Sequence, residues 1–95
     1  MGSCERAYGD IVRIACDHGA TKVVLFGSRA RGDALPKSDI DVAVAGSLDF
    51  DALYDDLQNE VDSLLCIDVV DLDTPLTPEL RQEIARDGVV IYEKV

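Results

Sequence analysis

Two features constrain this chain more than any others: a glycine–serine turn that ends one apolar run, and two aspartates, one residue apart, that open the next. Lys22-Val23-Val24-Leu25-Phe26 is short, β-branched and aromatic, the composition of a buried strand. Gly27 and Ser28 end it. Ten residues, Arg29 through Ser38, then lead to Asp39 and the run Ile40-Asp41-Val42-Ala43-Val44, a second strand. So short a connection allows the two strands to pair antiparallel.

These residue types at this spacing suit phosphate chemistry beside a divalent cation. Glycine lets a ligand approach the backbone closely. Ser28 is a good N-cap for a short helix through Arg29-Ala30-Arg31, whose free N–H groups attract a phosphate. Arg29 and Arg31 either add charge-assisted hydrogen bonds to that phosphate or pair with surface acids. Side chains alternate along a strand, so Asp39 and Asp41 share one face. Two such carboxylates repel by about 4 kcal/mol at about 4 Å and an effective dielectric near 20. A bound Mg²⁺ reverses that sign, because hard cations take carboxylate and phosphate oxygens together. A third acid is expected from Cys66-Ile67-Asp68-Val69-Val70-Asp71-Leu72, another strand-like run. Asp68 is the candidate. Asp71 lies opposite to it in alternation and is expected to cap the strand end or face solvent. In nucleotidyl transfer two acids hold the metal, and a third can orient or deprotonate the attacking hydroxyl.

Gly27-Ser28, ten residues, then Asp39-Ile40-Asp41 resembles the signature of the DNA polymerase β-like nucleotidyltransferase superfamily. The wider string from Leu25 to Asp33, with Ser38 to Val44, Ile67 to Leu72 and Gly88 to Glu93, resembles its minimal nucleotidyltransferase branch. The resemblance runs from about Lys22 to Glu93. It implies an α/β fold of the α+β kind, a small mixed sheet with helices packed on it, and transfer of AMP from ATP to a hydroxyl with release of pyrophosphate. By the same resemblance Asp39, Asp41 and Asp68 are the catalytic, metal-binding acids, and Gly27, Ser28 and Arg29 grip the nucleotide. Lone members of this branch are familiar as antitoxins paired with small helical HEPN proteins, ribonucleases silenced by adenylylation of a tyrosine. The implied acceptor is therefore a tyrosine of a HEPN partner. The alternative is a binding module that neutralises its partner by docking alone. A third reading, a subunit that modifies a small molecule or RNA, needs an acceptor site that this chain is too short to build.

Size and charge agree with these readings. At 95 residues and 47% hydrophobic content, residues 1–95 read as one minimal domain, with a modest core and an incentive to form a homo- or hetero-oligomer. A formal charge of −10 opposes direct contact with nucleic acid or an anionic membrane. Cys4, Cys16 and Cys66 are odd in number and lack Cys-x-x-Cys spacing, so they read as free thiols in a reducing compartment. With no apolar run of spanning length and no signal peptide, a cytoplasmic location is expected.

The remaining chain reads as helices and one more strand. Ala7, Ile11, Ile14 and Ala15 recur at helical spacing, and His18-Gly19 makes a helix end, where an imidazolium suits the dipole. Phe50, Leu53, Leu57, Val61 and Leu64 mark a second amphipathic helix, whose acids from Asp49 to Asp62 read as its wet face. Thr77-Pro78 opens another helix, with Leu80 and Ile84 inward and Gly88 after its end. Val89 to Tyr92 closes the chain as a strand. Lys37 reads as a solvated loop residue, and Arg31-Gly32-Asp33 as a coincidental tripeptide.

Overall fold

The computed structural model describes residues 3–27, 40–61 and 67–94. Along the chain these form α1 (Ser3–Asp17), β1 (Lys22–Phe26), β2 (Ile40–Ala45), α2 (Phe50–Glu60), β3 (Ile67–Asp71), α3 (Pro78–Asp87) and β4 (Val89–Glu93). The short helix expected at Arg29–Arg31 and the strand residue Cys66 lie outside the described residues.

The strands make one mixed sheet in the order β3-β2-β1-β4. β1 pairs antiparallel with both β2 and β4, whereas β2 and β3 run parallel. The parallel pair requires a crossover, and α2 supplies it. Alternation sorts the strand residues by face. Val23, Leu25, Ile40, Val42, Val44 and Ile67 join one buried cluster with Ile11 and Ile14 of α1 and Leu53 and Leu57 of α2. Val24, Phe26 and Ala43 face the other way, where Leu80 and Ile84 of α3 pack on them. Among the described residues, two helices therefore cover one face of the sheet and one covers the other. The same alternation sends Asp41 of β2 and Asp68 of β3 toward the α3 face.

The helix ends follow their sequence signals with two differences. Thr77 caps α3, its hydroxyl accepting the Leu80 N–H at 3.2 Å, with Pro78 in the first turn. Asp49 does the same for α2, accepting from the Ala52 N–H at 3.2 Å, so this exposed acid also caps the helix start. α2 stops at Glu60, short of the Leu64 that its spacing reached toward. Val61 turns extended (φ −75°, ψ 123°) and is buried at 8% exposure, and Leu64 itself lies outside the described residues. His18 follows α1 and reaches across to α2, where Nε2 lies 2.5 Å from Oδ2 of Asp56. That hydrogen bond ties the two helices of one layer together, a role beyond capping a dipole.

Candidate functional site

β1 ends where β2 and β3 begin, and the candidate residues gather at that end of the sheet. Phe26, the last residue of β1, is the register partner of Asp41. Asp41 is in turn the register partner of Asp68 on the parallel neighbour β3. Both acids stand two residues before members of the α3 face, Ala43 and Val70. Both carboxylates therefore leave the sheet on that face, from strands about 4.8 Å apart. Asp41 is half-buried and Asp68 exposed.

Gly27 completes this corner. Its φ is +79°, a left-handed conformation that a side chain disfavours. A β-carbon built on it would collide with Oδ2 of Asp41 and approach that residue's Cγ to 3.3 Å. The turn thus passes directly against the carboxylate, and only glycine leaves room for it. The left-handed backbone agrees with the unusual conformation that a glycine here permits, and what the turn passes closely is one of the two strand aspartates.

Of the residues predicted to form the site, Gly27, Asp41 and Asp68 are brought together. Ser28, Arg29 and Asp39 lie outside the described residues, as do Arg31 and Lys37. Asp71 falls on the opposite face and closes its own turn, Oδ1 accepting the Asp73 N–H at 2.9 Å while its carbonyl accepts the Thr74 hydroxyl at 2.8 Å. That agrees with its expected role at the strand end.

A divalent cation fits the chemistry of this donor set. Two carboxylates projected side by side from adjacent strands repel one another unless a hard cation lies between them. Among the described residues no group of three His, Cys, Asp or Glu side chains is arranged to hold a metal. Asp41 and Asp68 alone give a two-acid set.

Two further features near this end carried no signal in the linear pattern. Gln58 of α2 donates from Nε2 to the carbonyl of Ile67 at 2.6 Å, immediately before Asp68. Asp87, at the end of α3, keeps only 8% of its side chain exposed and takes two hydrogen bonds from the adjacent Arg86, at 3.2 and 3.0 Å. Asp87 stands two residues before Val89, the register partner of Leu25 near the end of β1.

Comparison with known proteins gives a consistent family. A family model described as "Polymerase beta, Nucleotidyltransferase" matches residues 10–95. A Methanocaldococcus jannaschii protein named "Putative protein adenylyltransferase MJ0604" is 53% identical over 34 residues, which is 36% of this chain and 34% of that protein. The chain thus matches about a third of that relative's length. Among solved structures, a toxin–antitoxin complex with AMP-PNP superposes with a TM-score of 0.72 at 26% identity, over 92% of this chain and 73% of the other. The toxin–antitoxin MntA-HepT superposes with a TM-score of 0.68 at 25% identity, over 95% and 73% of the two chains. A structure described as a "putative minimal nucleotidyltransferase" gives 0.68 at 30% identity, over 90% of both chains.

Proposed function

The chain belongs to the polymerase beta nucleotidyltransferase family, and from that premise we propose that it transfers AMP from ATP, with Mg²⁺, to a tyrosine of a HEPN-type toxin, as the antitoxin of the pair. The observation that carries this reading is the register pairing of Asp41 with Asp68, with Gly27 pressed against Asp41. Likeness to toxin–antitoxin structures, one of them with an ATP analogue, supports the partner and the nucleotide.

Asp39, Asp41 and Asp68 hold the metal, and Gly27, Ser28 and Arg29 grip the phosphates. Bound Mg²⁺ supplies positive charge to the triphosphate oxygens and the departing pyrophosphate. Asp68, the most accessible of the described acids at this corner, orients the acceptor hydroxyl and takes its proton. The acceptor oxygen bonds to the α-phosphorus, and the bond from that phosphorus to the oxygen bridging toward the β-phosphate breaks. Pyrophosphate leaves. Glycine at position 27 leaves the Asp41 carboxylate its place beside the turn, where a side chain would displace it.

The direct test is neutralisation of a co-expressed HEPN toxin by the wild-type chain and by Asp39→Asn with Asp41→Asn. Loss of neutralisation with the double variant, while it still binds the toxin, supports transfer. Full neutralisation by the double variant would make docking alone the mechanism.

A further inference from the structure

β3 carries Asp68, yet among the described residues it is an edge strand of the sheet, paired only with β2. Asp68 is exposed. Its direction depends on the backbone that carries it.

That backbone is held from α2. Gln58, in the last turn of α2, donates its side-chain N–H to the carbonyl oxygen of Ile67 at 2.6 Å, in a partly buried contact. The accepting carbonyl and the N–H of Asp68 belong to one peptide unit, which is planar, so fixing the carbonyl fixes the plane from which Asp68 departs. Both ends of the tie are anchored. Leu57, beside Gln58, is 0% exposed, and Ile67 is 4% exposed in the same cluster. The amide also suits the place electrostatically. A lysine could donate the same hydrogen bond but would bring a positive charge to a corner proposed to bind a cation, and a glutamate could not donate at neutral pH.

We propose that Gln58 is a positioning residue for Asp68, orienting its carboxylate toward the metal shared with Asp41. The inference rests on the proposed metal role of Asp68. Groups that orient a ligating carboxylate commonly contribute about tenfold or more to metal affinity.

The test is Mn²⁺ affinity in the presence of AMP-PNP, read from the electron paramagnetic resonance signal of free Mn²⁺, for wild type, Gln58→Leu, Asp68→Asn and the double variant. Gln58→Met, unbranched and similar in length, is carried alongside in case the leucine variant does not fold, and thermal melts confirm that each variant is native. The expected result is a loss of about tenfold with Gln58→Leu or Gln58→Met, and no further loss when either is added to Asp68→Asn. Unchanged affinity in both Gln58 variants, with a loss in Asp68→Asn, overturns the positioning role and leaves the metal site standing. Equal losses from the Gln58 changes in both backgrounds also overturn it, because the effect then does not pass through Asp68. If Asp68→Asn itself binds Mn²⁺ as well as wild type, the metal role of Asp68 fails and the inference falls with it.

Discussion

Gly27 stands so close to Asp41 that a single β-carbon on the glycine would occupy the space of the carboxylate. The contact joins the end of β1 to the start of β2, and its φ of +79° excludes an easy substitute. Gly27→Ala is therefore expected to act twice. The left-handed conformation costs an ordinary residue about 1–2 kcal/mol, read as a lower midpoint in urea unfolding. The displaced carboxylate weakens Mn²⁺ binding as well. A variant with unaltered stability and unaltered metal affinity would contradict the contact.

Core substitutions should separate the two faces of the sheet. Leu53 is 0% exposed in the larger cluster, whereas Leu80 of α3 is only half-buried against the smaller one. Leu53→Ala is expected to destabilise by about 2–5 kcal/mol. Leu80→Ala should cost clearly less, since part of its surface stays in water. Chemical denaturation of both variants gives the order, and an equal cost would mean that α3 packs more tightly than its exposure indicates.

His18 and Asp56 link α1 to α2 through one short hydrogen bond. The His18 side chain keeps 19% of its surface exposed and Asp56 41%, so solvent screens the pair. A double-mutant cycle with His18→Ala and Asp56→Ala is expected to give a coupling of about 0.5–1 kcal/mol. Zero coupling would mean that the bond adds nothing beyond its separate side chains.

Tyr92 on β4 should ionise late. Its hydrogen bond with Cys16 first, and then burial, hold the phenol above its ordinary value of 10.0. Because the folded state keeps this proton longer than the unfolded chain, the associated stability is full below pH 10.0 and declines as pH rises through the folded value. Absorbance at the phenolate band, compared between wild type and Tyr92→Phe, should show the Tyr92 phenol titrating above its ordinary value. Cys16→Ala should bring it down, and an unchanged titration would remove the hydrogen bond as the cause.

Much of this architecture was legible in the linear pattern, for reasons that particular residues make plain. Ile11, Ile14, Leu53 and Leu57 follow the helical period, and Ile40, Val42 and Val44 alternate, so both the elements and their buried faces can be read directly. Asp41 and Asp68 share a face because the period of two leaves them no other choice once β2 and β3 pair in parallel. What the pattern could not carry was contact between distant positions. Gln58 reads as one more polar residue on a solvated helix, and only the fold brings its amide to Ile67. His18 reads as a helix end and Asp56 as one acid among many, and only the packing of α1 beside α2 joins them. The capping role of Asp49 is not legible in the pattern because capping depends on where a helix starts, and helix ends are the least periodic part of the signal. Nor does Asp87 stand out in a chain with 19 acids, although its side chain is nearly buried.

The central claim is transfer of AMP through the acids at the end of β1. ATP labelled at its α-phosphate tests it most directly, incubated with Mg²⁺, the chain and a HEPN-type partner, with ATP labelled at the γ-phosphate in parallel. The account predicts that α-label, and no γ-label, becomes covalently attached to the partner, and that Asp41→Asn and Asp68→Asn each reduce the rate by at least about a hundredfold. Attachment of γ-label, or undiminished α-label with either variant, would contradict it.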